Sequence, residues 1–164
     1  MRLDLHKIIE VPGERVAFTD RPEVSDLYFE GVTGYSRPLE AKGEVVNRAG
    51  VLHMEAELSA EMECVCARCL KEFRMPYFLK TEAILSAEEP ENEDSDIYLL
   101  DGDFINTDEV LVTAFVLSQE QRVLCSEDCK GLCPQCGKNL NDGPCECRAE
   151  TDPRLAVLGQ LLEE

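Results

Sequence analysis

Six of the nine cysteines in this chain fall within one run, CSEDCKGLCPQCGKNLNDGPCEC, from Cys125 to Cys147. Glycine, asparagine and aspartate dominate it, so it cannot bury enough apolar surface to fold unaided. Thiolate coordination of a metal ion supplies what a core does not. Zinc ligands recur as cysteines two residues apart, because a tight turn brings both sulfurs to one ion while its backbone N–H groups face them. Two such pairs are present, Cys66-Ala-Arg-Cys69 and Cys133-Pro-Gln-Cys136-Gly. In the second, Pro134 pre-sets the turn and Gly137 can take the left-handed conformation that lets the chain leave it.

Each pair needs another. Cys145 and Cys147 lie at i and i+2, on one face of extended chain, and can close a local site with Cys133 and Cys136. Cys125 and Cys129 then serve Cys66 and Cys69, across 56 positions from Cys69 to Cys125. The preferred assignment is two tetrahedral four-cysteine sites. The alternative is one local site of Cys125, Cys129, Cys133 and Cys136, which leaves Cys66 and Cys69 free. Two Zn2+ ions are expected on the first assignment and one on the second. Sites saturated with thiolate have no open position, so structural rather than catalytic zinc is expected. A dithiol redox centre of this spacing belongs in a βαβ setting that the chain does not suggest. Cys64 is left over, and its place on an apolar face predicts a buried free thiol.

The second feature is charge. The chain has 34 acidic and 16 basic side chains, a formal net charge of −18, so phosphate contact requires a local basic patch or a partner. Arg68, Lys71, Arg74 and Lys80, interleaved with Phe73, Tyr77 and Phe78, form the one basic stretch. This mixture suits single-stranded RNA, while strand alternation favours aromatics facing a core and cations facing solvent. His6 and His53 are isolated and lack ligand spacing. No Ser/His/Asp set, Gly-rich phosphate loop or paired-carboxylate signature stands out, and no enzyme activity or small-molecule substrate is expected.

The elements that must position these residues are mostly strands. Residues 1–40 read as extended segments broken by Pro12-Gly13 and Arg21-Pro22. After Val45-Val46, the tetrad Asn47-Arg48-Ala49-Gly50 reads as a turn. Leu52, Met54, Ala56, Leu58, Ala60, Met62, Cys64 and Cys66 then alternate with polar residues, the pattern of a half-buried antiparallel strand. Phe73, Met75, Tyr77, Leu79, Ala83 and Leu85 return it as a hairpin tipped by the Cys66–Cys69 turn. Pro76 requires a bulge or an edge position. An acidic loop (87–96) follows, with six carboxylates between 88 and 96. Ile97 to Leu100 suggests another strand. A helix (about 107–118) starts at Asn106-Thr107-Asp108-Glu109 and carries a stripe of Val110, Leu111, Ala114, Phe115 and Leu117. Thr151-Asp152-Pro153 opens a C-terminal helix with Leu155, Leu158, Leu161 and Leu162. The fold class expected is α+β: an antiparallel β-rich domain over 1–120 with few helices, and a small cysteine-rich zinc module over 121–164. The N-terminus has no h-region and does not read as a signal peptide, and the longest apolar run, Val110 to Leu117, is too short for a membrane span. A cytoplasmic location and reduced cysteines are therefore expected.

CARCLKEF at 66–73, the acidic loop, QRVLC, EDCKGLCPQCGKNLNDGPCEC and DPRLAVLGQLL occur in an order and spacing that resembles the YceD-like family, the large ribosomal RNA subunit accumulation proteins. The resemblance covers most of 43–164 and implies a non-enzymatic factor for large-subunit ribosomal RNA accumulation. Its implied partners are that RNA or its precursor, or ribosomal proteins, for which an acidic surface is suited. Cys66 and Cys69 match the family's paired cysteines, the region of Cys125 and Cys129 matches its downstream metal-type residues, and Cys133 to Cys147 resembles a fuller module found in part of the family. Cys64 departs from the motif. Rival readings are a thiol–zinc redox switch that releases metal on oxidation and a transcription-linked zinc-ribbon adaptor.

Overall fold

A computed structural model describes residues 1–88 and 97–147. The alternation read from 52 to 64 is realised as the centre of a five-stranded sheet. Strand β1 (Arg2–Asp4) leads into helical turn α1 (His6–Ile9), followed by β2 (Arg15–Asp20), β3 (Val32–Arg48), β4 (Val51–Val65) and β5 (Glu72–Ser86). Short strands β6 (Ile97–Leu99) and β7 (Phe104–Asn106) precede helix α2 (Thr107–Leu117). The main sheet runs β2-β3-β4-β5-β6, and β1 pairs with β7 separately. Every pairing is antiparallel except β5 with β6, which is parallel over three residue pairs. The molecule is α+β, mostly antiparallel, with few helices and its cysteine clusters towards the C-terminus.

Two expectations are corrected. Residues 1–40 are not wholly extended, because Leu5 to Ile9 coil into α1 with Ile9 N–H donating to Leu5 O at 3.1 Å. Leu117 does not join the apolar stripe of α2. It is 80% exposed, whereas Thr107, Val110, Leu111 and Phe115 are buried. Two positions along a helix turn a side chain by about 200°, so with Phe115 on the sheet Leu117 faces solvent, while Ser118 still meets Tyr77 of β5.

The hairpin is as expected. Leu52, Met54, Ala56, Leu58, Ala60, Met62 and Cys64 are all buried on one face of β4. β4 and β5 pair in unbroken register from Leu52↔Leu85 to Val65↔Glu72. Pro76 needs no bulge, because β6 covers β5 only at Ile84 to Ser86 and leaves Pro76 on an open edge among the described residues. Asn47 starts the turn, its Oδ1 accepting from Gly50 N–H at 2.8 Å, but it is also fully buried. Its Nδ2 donates to the carbonyls of Ile8 and Ile9, both at 2.7 Å, and so anchors α1 to the sheet.

Asn106 caps α2, its Oδ1 accepting from Asp108 N–H at 3.3 Å. Phe115 packs edge-on to Tyr77 and Phe29, with ring centroids 5.0 and 5.5 Å away, which seats α2 on the buried face. The main core lies between that face, α1 and α2. A smaller cluster of Met62, Cys64 and Val123 continues it towards the hairpin tip, where Cys66, Cys69 and Cys129 form the last buried group. The sheet thus ends on the cysteines. Most of the acidic loop (87–96) and the whole of the C-terminal helix expected from Thr151 lie outside the described residues.

Candidate metal centres

At the hairpin tip the chain turns by two hydrogen bonds. Cys66 N–H donates to Lys71 O and Leu70 N–H to Cys66 O, both at 3.0 Å. Leu70 takes the left-handed conformation, φ +58°, that permits this turn. The same turn recurs at Cys133, whose N–H donates to Lys138 O at 2.8 Å while Gly137 N–H returns to Cys133 O at 2.9 Å. Gly137 holds the left-handed position there, with φ +71°. Two copies of one thiolate-gathering turn therefore stand in the fold, one between strands and one in a loop.

The downstream segment is brought to the tip by backbone pairing. Ala67 N–H donates to Val123 O at 2.9 Å, and the Arg68 guanidinium donates to the carbonyls of Glu127 at 3.1 Å and Cys129 at 2.9 Å. Leu132 N–H donates to Arg68 O at 3.2 Å. Gly131, with φ +74°, lies so close that an added Cβ would sit 3.1 Å from Arg68 O. These contacts place Cys125 and Cys129 opposite Cys66 and Cys69.

The result is two tetrads: Cys66, Cys69, Cys125 and Cys129; and Cys133, Cys136, Cys145 and Cys147. Within each, the sulfur atoms all lie within 4.8 Å of one another. Cys66 Sγ is 3.8 Å from Cys129 Sγ, and Cys69 Sγ is 3.6 Å from Cys125 Sγ. A regular tetrahedron with metal–sulfur bonds of about 2.3 Å has sulfur–sulfur edges of about 3.8 Å, so the first tetrad is sized for such an ion. The competing local set of Cys125, Cys129, Cys133 and Cys136 is not the one assembled. Cys64 joins neither tetrad. It is buried beside Met62 and Val123, and burial raises its thiol pKa.

Each tetrad is electrically divided. Burial opposes ionisation of Cys66, but the N–H groups of Cys125, Cys69 and Arg68, with the Cys69 thiol, prevail and lower it to about 6. The N–H groups of Cys136 and Gln135 and the Cys145 thiol likewise lower Cys133 to about 6 against its burial. In contrast, Cys125 is pushed up to about 12, first by its hydrogen bond to Cys69 and then by burial. Cys147 is pushed up to about 12 by its hydrogen bond to Cys136, then by burial and the neighbouring thiolate charges. Four thiolates repel one another without a cation, so each set ionises in part and a divalent ion would complete it. Asn141 adds a further contact, its Nδ2 lying 3.4 Å from Cys129 Sγ, and is the foremost cause that lowers the Cys129 thiol. The sequence reading missed Asn141. In a loop of Asn, Asp and Gly its residue type signals only a turn.

The four basic residues do not form a free patch. The guanidinium of Arg68 is spent on the two carbonyls named above. Arg74 pairs with Glu63 at 3.7 Å and Lys80 with Glu57 at 2.7 Å on the solvent face of the sheet, across β4 and β5. Lys71 is exposed at the tip. Of the two histidines, His6 is exposed and meets Asp103 at 2.8 Å, while His53 is half-buried; neither reaches a tetrad. No helix among the described residues is long and apolar enough to cross a membrane.

Residues 54–162, which contain all eight tetrad cysteines, match the family model described as large ribosomal RNA subunit accumulation protein YceD. Among curated proteins, uncharacterized proteins of Mycobacterium tuberculosis (H37Rv) and Mycobacterium bovis are each 30% identical over 101 residues, 59% of this chain and 49% of the relative. The chain therefore spans about half the length of these mycobacterial relatives. A shorter match, 45% identical over 42 residues, covers 25% of this chain and 13% of the large ribosomal RNA subunit accumulation protein YCED homolog 1, chloroplastic, of Arabidopsis thaliana. No solved structure matches the chain.

Proposed function

Since this chain belongs to the YceD family, we propose that it is a non-enzymatic factor for accumulation of large-subunit ribosomal RNA, held in shape by two structural zinc ions. The observation that carries the reading is the family match over 54–162, which contains both assembled tetrads. Cys66, Cys69, Cys125 and Cys129 would hold one ion, and Cys133, Cys136, Cys145 and Cys147 the other. Bound zinc supplies neutralisation of thiolate charge and a cross-link between distant segments. Four sulfurs leave no position for water or substrate. A cavity of about 740 Å3, lined in part by Arg21, Glu23, Asp26, Tyr28, Tyr35 and Leu39, includes none of the tetrad cysteines.

The protein acts by binding, in the cytoplasm, and a basic protein of the large subunit is the favoured partner over bare RNA. Two observations support this. The formal charge is −18, and Arg68, Arg74 and Lys80 already have partners within the chain. Tagged protein recovered from growing cells, with co-purified RNA sequenced and proteins identified, tests the proposal. Enrichment of large-subunit ribosomal proteins or precursor RNA is expected. Recovery of neither removes it, and recovery of RNA polymerase instead transfers the protein to a transcriptional adaptor. Zinc lost under mild peroxide and regained after reduction with an added thiol would favour a redox switch.

A further inference from the structure

The loop that joins the two halves of the second tetrad also touches the first. It runs from Gly137 to Pro144 and contains a short 3₁₀ turn, Leu140–Asp142, capped by Asn139. Asn139 Oδ1 accepts from Asn141 N–H at 3.0 Å and from Asn141 Nδ2 at 2.7 Å, which fixes the Asn141 amide in one orientation. That amide reaches out of its own loop. Its Oδ1 accepts from Lys130 N–H at 2.8 Å, and its Nδ2 lies 3.4 Å from Cys129 Sγ. Leu140 N–H donates to Gly131 O at 2.9 Å, and Leu132 bridges to Asn139 in antiparallel fashion. The ends of the same loop are tied by Cys136 and Cys145, and Lys138 Nζ closes it onto Pro144 O at 2.8 Å.

We propose that Asn141 couples the two metal centres: filling the second tetrad holds its loop closed, and the closed loop sets an Asn141 N–H on the Cys129 sulfur of the first. This rests on both tetrads holding zinc. An N–H donated to a ligating thiolate draws charge from the sulfur, orients it and shields it from protons and competing chelators, as partners one step out from a metal commonly do. The loop has few apolar residues of its own, so without its ion Asn141 is held only by exposed hydrogen bonds, chiefly those of Lys130 N–H and Asn139 to its amide and of Leu140 N–H to Gly131 O. Coupling is reciprocal, so the first ion must also favour the second.

The test is a Co2+ titration of the whole chain, followed through thiolate-to-cobalt absorption, together with Zn2+ transfer to a chromophoric chelator. The wild type is compared with Asn141→Ala, Asn141→Asp and the double variant Cys145→Ser/Cys147→Ser. Loss of a metal ligand's hydrogen-bond partner typically weakens binding by about 10- to 100-fold. Asn141→Ala is expected to weaken the first centre by about tenfold, at the low end of that range, while both ions still bind. The cysteine double variant, with its second centre emptied, should show the same weakening of the first. Adding Asn141→Ala to it should change nothing further. Asn141→Asp keeps the acceptor for Lys130 N–H but sets a carboxylate oxygen in place of the donor, so it should weaken the first centre at least as much as Asn141→Ala; full rescue by Asp would assign the residue to loop packing and overturn the proposal. Wild-type metal transfer in Asn141→Ala also overturns it, with the zinc assignment intact. A wild-type chain that takes up no metal at either tetrad overturns both the zinc assignment and the coupling.

Discussion

The eight tetrad cysteines are not equivalent, and their differences set what removal of each will do. Cys69→Ser takes one sulfur from the tetrad at the hairpin tip and Cys136→Ser one from the loop tetrad. Each variant is expected to lose about one of two zinc ions on elemental analysis; loss of both from one substitution, or of none, contradicts two separate centres. Protons compete with a metal ion for thiolate, so acid should favour release of a bound ion. Cys66 and Cys133 are lowered from the ordinary thiol value of 9.0 to about 6. A thiolate of lowered pKa contributes stability that is present in full above 9.0 and is lost as pH falls through about 6. In denaturant unfolding of the metal-free chain that stability should therefore decline as pH falls from 9.0 to about 6, and zinc transfer to a pH-insensitive chelator should speed up as pH falls. Transfer no faster in acid than at neutral pH would contradict thiolate coordination. At this scale the sequence was a good guide. All eight tetrad cysteines were legible, because cysteine spacing is local chemistry. Asn141 and the use of Arg68 as a backbone clamp were not, because both depend on which loop lies beside which.

At the scale of elements, the β4–β5 hairpin was readable because period-two alternation over more than a dozen residues has one structural solution. The helix at 107–117 was readable from its Asn106 cap and carboxylates in the first turn. Its packing was not. Leu117 falls at the margin of the apolar stripe and is exposed, and Phe115 carries the contact, edge-on to Tyr77 and Phe29. Phe115→Ala is expected to cost about 3–5 kcal/mol in denaturant unfolding, since it empties the centre of that cluster. Leu117→Ala should cost less than about 0.5 kcal/mol, as an exposed position does. Equal costs would mean that α2 is not seated as described. The helical turn α1 escaped the sequence reading for a related reason. Four residues carry too little period to register, and what holds them is the buried Asn47 amide, received from 38 positions away at Ile9.

At the scale of the whole molecule, the cysteines form a clasp at the end of a sheet. The first tetrad ties the β4–β5 tip to residues 125–129, and the second is stacked against the first through Leu132, Leu140 and Asn141. The main core, by contrast, contains no tetrad cysteine. Chelation should therefore act regionally. Hydrogen exchange after zinc removal is expected to lose protection at 66–71 and 123–147 while β2, β3 and the paired centre of β4 keep theirs; loss across the entire sheet would show that the metals hold the fold as a whole. The sequence by itself determined the strand hairpin, the capped helix, the acidic character and which cysteines cluster, because each rests on neighbours in the chain. Only the tertiary structure decided how the ligands divide. Cys125 and Cys129 could have met Cys133 and Cys136 on spacing alone. They meet Cys66 and Cys69 because Val123, Arg68 and Gly131 bring the two segments together by hydrogen bonds and a contact that only glycine allows. Such a choice is made between surfaces 56 positions apart from Cys69 to Cys125, where no local period reaches.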